Sequence, residues 1–189
     1  TIASAAIQVS DNYYLLPAAN NIEKSSKVQP HHVDNLLTVA SAEYDFVVLD
    51  ISSSLDSVGM RALDRSDWIY VVSQPILNYL KALINLLGIF SELNYSRQRI
   101  KVVMNKFDID SGLPVNKVID LIGRDVDSQI PYDILGVDES INSGIPIVKT
   151  SKSSSVSMAI EELCESLLEI KQTVKSESVL SKILHLKVG

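Results

Sequence analysis

The stretch WIYVVSQPILNYLKALINLLGIFSELNYSRQRIKVVMN, from Trp68 to Asn105, decides the fold class of this sequence. Its two ends, Trp68–Ser73 and Ile100–Asn105, are short apolar runs rich in β-branched residues, which predicts two buried strands. Between them, apolar residues recur at helical spacing from Ile76 to Asn94, which predicts a long amphipathic helix. We therefore predict an α/β protein of three layers, with a mostly parallel sheet flanked by helices.

The same alternation of strands and helices continues on both sides of this stretch. Upstream, Tyr13–Pro17 is the first strand candidate. Phe46–Asp50 is apolar up to its acidic end, which is typical of a strand buried on both faces. The other predicted elements are a helix over Pro30–Ala42, a short helix before Trp68, a helix over Pro114–Ile122, an edge strand over Ser128–Asp133 and a helix from about Ser154 to Lys175. We expect one domain over residues 1–175 and a tail helix over residues 176–189.

The composition narrows the classes of function. The chain has 189 residues, 46% of them hydrophobic, and a formal net charge of -6. An acidic chain without a cluster of arginines does not favour nucleic-acid binding. The single cysteine, Cys164, excludes an intramolecular disulfide and a cysteine-rich zinc site. No stretch approaches the ~18 consecutive apolar residues of a membrane-spanning helix, so we expect a cytoplasmic protein.

Two groups of polar residues, a histidine pair and two aspartates, are expected to have structural roles rather than to bind a ligand. His31–His32 lies in the first turn of a predicted helix, where surface or capping roles are expected and a metal site is not. Asp64 and Asp67 precede the strand at Trp68, and we interpret them as turn and cap residues that pair with Arg61 and Arg65.

The candidate ligand site lies just beyond the predicted strands, because ligands of parallel sheets bind at the carboxyl ends of the strands. Asp50 follows the predicted strand at 46–50, and a carboxylate held there suits the orientation of Mg²⁺ through its water shell. The alternative is an aspartate that only caps the next helix or turn.

Asn105 follows the strand that begins at Ile100. Its amide offers one donor and one acceptor, which suits the amine and ring nitrogen of adenine. The letters of Asn105–Asp108 also spell the N-K-x-D pattern of guanine recognition, in which Asp108 would accept from the base. The third interpretation is an Asx turn with solvated Lys106 and Asp108.

The order of these pieces resembles the MinD/ParA superfamily of deviant-Walker ATPases. The segment IPYDILGVDESINSGIPIVKTSKSSSVSMAIEELCESLL, Ile130–Leu168, is similar to the last third of that family, and the resemblance runs from about Tyr13. The pieces LLPA, YDFVVLD, SDWIYVVSQP and the N-K strand are most similar to the CpaE/TadZ branch, which serves Flp/Tad pilus assembly. The resemblance implies a SIMIBI, MinD-like P-loop NTPase fold, of which this chain would be the C-terminal part.

The resemblance assigns ligand roles to individual residues. Asp50 matches the Walker B aspartate, which orients Mg²⁺ through water, and Asn105 matches the asparagine that contacts adenine, with Lys106 beside it. Pro131, Tyr132 and Asp133 match the loop that flanks the base. ATP or ADP with Mg²⁺ is therefore the implied cofactor.

The loop after Asp50 departs from the family pattern. It reads ISSSLDSVG and matches switch II, but Ser52, Ser53 and Ser54 replace the prolines and glycine that relatives often carry. This departure implies a weak ATPase with slow hydrolysis. The alternatives are a pseudo-ATPase that serves as a scaffold without hydrolysis, and a GTPase that reads N-K-F-D.

The resemblance also implies partners and an upstream segment. Relatives close a homodimer on Mg-ATP, and the CpaE/TadZ branch helps to position pilus or secretion machinery. No glycine precedes Gly59, whereas the family carries a glycine-rich P-loop strand at its beginning. We therefore expect the P-loop strand, and a receiver-like domain before it, upstream of this chain; loss of the loop is the alternative.

The tail VLSKILHLKVG, Val179–Gly189, has apolar residues on one helical side and Lys182, His185 and Lys187 elsewhere. MinD proteins end in a membrane-targeting helix, but the few apolar residues here would give only weak interfacial binding. Docking against its own domain or a partner is favoured over membrane contact. The resemblance implies recruitment of the protein to a cell pole or the inner membrane surface.

Overall fold

The computed structural model describes residue 2 and residues 5–18, 27–52, 55–108 and 113–168. The chain divides into two compact units, residues 1–69 and 70–189. The predicted tail over residues 176–189 and the boundary before it lie outside the described residues.

The elements follow the predicted alternation. In chain order they are β1 Ile7–Ser10, β2 Tyr13–Leu15, α1 Pro30–Glu43, α2 Ser57–Arg65, β3 Ile69–Ser73, α3 Leu77–Glu92, a 3-10 turn at Arg97–Arg99, β4 Ile100–Phe107, α4 Val115–Ile122, β5 Ser128–Pro131, α5 Ile134–Ser143, α6 Ile147–Thr150 and α7 over residues 155–168. Within the described residues, and with one exception, each strand and helix whose start was predicted has a counterpart that begins within one residue of that start.

The second unit contains the predicted sheet. Its strands lie in the order β3-β4-β5, and β4 and β5 pair in parallel. Strand β4 is buried on both faces, because Val102 and Met104 face one core cluster and Val103 faces another. The first cluster adds Leu80 and Leu83 of α3 and Val118 of α4, and the second adds Ile130 of β5, Ile147 of α6 and Val156 of α7. Helices therefore cover both faces of the sheet, and the predicted three-layer α/β fold is confirmed.

The first unit begins with a hairpin rather than a strand of that sheet. Strand β2 pairs antiparallel with β1, an element that the sequence did not predict, and every residue of both strands is exposed. The ring of Tyr14 in β2 lies 5.4 Å from that of Tyr44, the C-cap residue of α1. An alternating polar pattern beside a two-residue turn fits a hairpin better than a buried parallel strand.

Polar contacts stabilise the helices of the first unit. His32 Nδ1 accepts a hydrogen bond of 3.0 Å from the backbone N–H of Gln29, which confirms its capping role. Arg61 and Arg65 both pair with Asp34 of α1, at 2.9 and 3.0 Å, whereas Asp64 lies 3.8 Å from Arg61. The main partner of both arginines is thus on the other helix. The hydrogen bond from Arg61 lowers the pKa of Asp34, and Asp34 raises the pKa of Arg61.

The exception is the predicted strand at Phe46–Asp50, which was wrong. These residues belong to neither sheet, and Val48 is 91% exposed. An apolar run forms a buried strand only where neighbouring strands satisfy its backbone groups on both edges, and no strand of the described residues pairs with this segment.

In the part of the chain that the structure describes, no helix is long and apolar enough to cross a membrane.

Candidate functional site

The carboxyl ends of β4 and β5 meet at one rim of the sheet. Phe107 lies opposite Pro131 in the strand register, and the backbone N–H of Tyr132 donates a 3.0 Å hydrogen bond to the carbonyl oxygen of Phe107. The structure therefore brings together two of the predicted ligand segments, Asn105–Lys106 and Pro131–Asp133. In a parallel α/β sheet this rim is the expected position for a ligand.

Strand β4 contains a bulge at this rim. Met104 lies opposite Gln129 and Phe107 opposite Pro131, so that three steps along β4 match two along β5. Lys106, inside the bulge, has φ of 52°, in the left-handed region. A residue other than glycine costs about 1–3 kcal/mol there. Bulges redirect side chains and are frequent beside functional sites, so this one points to the same rim independently of the motif.

The side chain of Asn105 has a local hydrogen bond. Its Oδ1 accepts a 2.8 Å bond from the backbone N–H of Lys106, and the residue is half-buried, while Lys106 is exposed. This bond reaches the next residue, whereas the Asx turn of the third interpretation would reach the residue after that. It uses one of the two lone pairs of the carbonyl oxygen. The amide thus has remaining capacity to accept and donate, which recognition of adenine requires.

The neighbouring loop is fixed by a helix cap. Asp133 is the N-cap of α5, and its Oδ1 accepts a 2.9 Å hydrogen bond from the backbone N–H of Gly136. A Cβ at Gly136 would lie 2.6 Å from Oδ2 of Asp133, so only glycine fits there without a shift. The capping role was not predicted, although Asp before a helix is a known signal for it. Tyr132, beside it, is 48% exposed.

The remaining predicted site residues lie in the first unit. Asp50 and Ser52 are exposed, and Ser53 and Ser54 lie outside the described residues. Asp50 follows the segment that forms no strand, so a site shared between Asp50 and Asn105 stays a prediction. Within residues 5–18, 27–52, 55–108 and 113–168, no group of three or more His, Cys, Asp or Glu side chains is arranged to hold a metal ion.

A cavity of ≈ 170 Å³ lies at the opposite, amino end of β4. Its lining includes Leu87, Tyr95, Arg97, Ile100 and Arg124. The two guanidinium groups are already engaged, because Arg97 donates to the carbonyl of Gly123 and Arg124 to that of Ile100, each at 2.7 Å. These bonds connect the loop after α4 to the start of β4, and they indicate a structural role for this end of the sheet.

Comparison with known proteins shows which class of protein shares this fold. The described architecture is that of an α/β protein with a parallel sheet covered by helices on both faces. A ParA family ATPase from Chlorobium tepidum matches it with a TM-score of 0.81 and 27% identity, over 86% of this chain and 68% of that one. The cell division ATPase MinD from Pyrococcus furiosus matches with a TM-score of 0.74 and 22% identity, over 89% and 71% of the two chains.

Sequence comparison agrees with the structural one. The chain is 24% identical over 159 residues to the septum site-determining protein MinD of Thermotoga maritima, over 80% of this chain and 57% of that protein. The chain thus spans little more than half the length of this curated relative. No model of a protein family matches the sequence. In both sequence and fold the chain is thus similar to MinD and ParA proteins, the superfamily that the order of its motifs resembles.

Proposed function

We propose that this chain is the base-binding part of a MinD/ParA-type protein that binds ATP or ADP. The observation that carries the proposal is the hydrogen bond from Tyr132 N–H to the carbonyl of Phe107, which unites the two predicted base-contacting segments at one rim. The bulge at Asn105–Lys106 supports it, because a strained backbone residue beside a ligand rim is typical of a functional site.

The rim residues supply groups suited to the base. Asn105 would donate to and accept from adenine, while Lys106 and the loop of Pro131, Tyr132 and Asp133 would flank it. The MinD of Pyrococcus horikoshii is described as complexed with Mg-ADP, and this supports the same ligands here. We assign the orientation of Mg²⁺, through water, to Asp50. A bound Mg²⁺ ion would neutralise phosphate charge.

The phosphate side of the site needs residues that this stretch does not supply. No glycine precedes Gly59, so the glycine-rich loop that cradles phosphates has no candidate before the sheet. We propose that a P-loop strand from a longer polypeptide completes the sheet. Val72 on β3, 61% exposed, and Val48, 91% exposed, are apolar side chains that further elements of a longer polypeptide would cover. A polypeptide that carries such a loop should bind ATP about a hundredfold more tightly than residues 1–189, a gain of about 2.7 kcal/mol.

The finer role is that of a TadZ/CpaE-like positioning factor for Tad/Flp pilus or secretion machinery. Mg-ATP would close a homodimer, and the serine-rich loop of Ser52, Ser53 and Ser54 would give slow turnover. The Aquifex aeolicus MinD forms a MinC:MinD complex, which supports protein partners for this fold. The protein would act in the cytoplasm, recruited to a cell pole or the inner membrane surface.

A second candidate is a scaffold module without hydrolysis. It is favoured by the position of Asp50, which follows a segment that is not held in a sheet. Partner recruitment and self-association that persist unchanged in Asp50→Ala would support the scaffold. Loss of nucleotide-dependent dimerisation in the same variant would support the ATPase.

Base recognition can be tested with two matched asparagines. Asn116 accepts a 3.0 Å hydrogen bond from the next backbone N–H, just as Asn105 does at 2.8 Å, but it lies on α4. With millimolar Mg-ATP and calorimetry, Asn105→Ala should weaken ATP binding about tenfold, or about 1.4 kcal/mol, and Asn116→Ala should leave it unchanged. Equal effects of both changes, or no ATP binding, would refute the proposal.

Tighter binding of GTP, with a switch to xanthine nucleotides in Asp108→Asn, would establish the GTPase alternative.

A further inference from the structure

Helix α5 presents an apolar face that nothing in its own unit covers among the described residues. None of its ten residues is buried, and Leu135 is 80%, Ile141 70% and Ile134 51% exposed. At 100° per residue, positions 134, 138 and 141 share one side of the helix with position 135 beside them. Val137 lies next to Ile141 and nearly opposite Leu135, and it packs against the second core cluster. The helix is therefore anchored at Val137, while Ile134 and Leu135 lie on its exposed surface and Ile141 lies at the border between the two.

The exposed face of α5 is rimmed by acidic residues. Asp138 lies between Ile134 and Ile141 on the same side, Glu139 lies next to Leu135, and both are exposed. The helix has no lysine, arginine or histidine, and the neighbouring α6 contributes only Lys149. An apolar stripe with acidic neighbours fits an amphipathic segment that carries positive charge.

The chain itself contains a segment of this chemistry. We propose that the tail segment Val179–Gly189 docks on the exposed face of α5. The tail segment has no acidic residue and carries Lys182, His185 and Lys187. Its apolar residues at helical spacing are Val179, Leu180, Ile183, Leu184 and Leu186. The tail segment and the exposed face of α5 are therefore complementary in charge, and both carry apolar residues at helical spacing.

The length of chain between the two elements permits this contact. Val156 at the start of α7 belongs to the same core cluster that Val137 of α5 packs against, so α7 starts near α5. The fourteen residues of α7 over 155–168 span about 21 Å at 1.5 Å per residue. The ten residues 169–178 can extend about 33–36 Å, which is enough to return. A tether of this length gives an effective concentration of about 1 mM, so even weak docking would be populated within one chain.

Cross-linking in the full chain tests this contact. Cys164, the single cysteine, is first replaced in Cys164→Ser. Leu135→Cys and Leu184→Cys are then introduced together and treated with a short bismaleimide. The control pair combines Leu184→Cys with Gln98→Cys, an exposed position at the amino end of β4. The pair on α5 should give about tenfold more intramolecular product than the control, independent of protein concentration.

Charge reversal then separates docking from mere proximity. Reversal on α5, with Asp138→Lys and Glu139→Lys, should lower the yield about threefold. Reversal on the tail, with Lys182→Glu and Lys187→Glu, should do the same. Both reversals together should restore it. Asp138 and Glu139 are exposed, and circular dichroism melting should confirm that every variant folds.

Four outcomes would count against the proposal. Equal yields from the two cysteine pairs would show that the tail does not favour α5, and absence of rescue would remove the charge argument. Intermolecular products that rise with concentration would assign the face to a second copy of the chain. Tail-dependent sedimentation with vesicles that contain anionic phospholipid, with no excess cross-link to Leu135, would make the tail a membrane segment instead.

Discussion

The two ends of strand β4 are built in contrasting ways. At the amino end, Asp127 accepts a 2.8 Å hydrogen bond from the backbone N–H of Val102 and pairs with Lys101 at 3.0 Å, while Arg124 donates to the carbonyl of Ile100. At the carboxyl end the strand bulges and Lys106 takes a left-handed conformation. Side chains at one end hold the strand, whereas backbone strain is tolerated at the other.

The contrast indicates a division of roles along a single strand. Polar groups that already bond the backbone are less available to a ligand, and strain persists only where the surrounding structure fixes it. A bulge next to a rim therefore needs a rigid support, and the buried residues Val102, Val103 and Met104 provide it between the two ends. Stability is concentrated at the amino end and ligand recognition, by our proposal, at the carboxyl end.

The largest expected effect is at the amino end. Asp127→Ala removes the acceptor for Val102 N–H and the partner of Lys101, so the free energy of unfolding should fall by about 2–3 kcal/mol. Burial already lowers the pKa of Arg124, and the charge of Asp127 opposes that shift. Urea unfolding would measure the loss, with exposed Asp125→Ala as the control. A loss of unfolding free energy no larger than that of Asp125→Ala would show that Asp127 does not stabilise the amino end of β4.

An intermediate effect is expected at the carboxyl end, where Asp133 caps α5 directly after strand β5. Asp133→Ala should cost about 1 kcal/mol because the N–H of Gly136 loses its acceptor, whereas Asp133→Ser, which can still cap, should cost less. Thermal unfolding of the two variants would check the difference. Identical losses for Ala and Ser would show that the carboxylate does not act as a cap.

The smallest effect is expected inside the bulge. Lys106→Gly relieves the positive φ but adds chain entropy to the unfolded state, and a net gain of about 0.5 kcal/mol is expected. Lys106→Ala keeps the strain and should be neutral. Chemical unfolding of both variants measures how much strain the carboxyl end of β4 contains. Destabilisation by Lys106→Gly would mean that the left-handed residue is not strained.

The sequence predicted the elements whose signals are local. Helix α3 and strand β4 could be predicted because apolar spacing alone sets their type, and Pro30 marks the start of α1 because proline suits the first helical turn. The segment at 46–50 could not be predicted, since its apolar letters do not say whether neighbouring strands are present. Pairing is a property of the whole sheet.

The candidate site could be predicted only as a set of positions at the carboxyl ends of the strands. Parallel topology brought Asn105 and Pro131–Asp133 together as expected, because strand ends of a parallel sheet share an edge. The bulge depends on the register between β4 and β5, which no short motif encodes. The hydrogen bond between Asp127 and Val102 joins residues 25 apart in the sequence, so no local pattern could predict it.

The central claim, that the carboxyl end of β4 and β5 receives the base, is tested most directly by amide chemical-shift mapping. Mg-ATP is titrated into the isotopically labelled chain and the shifts of individual backbone amides are followed. The account predicts the largest changes at Lys106, Phe107 and Tyr132, with Val102 and Asp127 unchanged. Changes confined to the cavity at the amino end, or no changes at millimolar nucleotide, would contradict it.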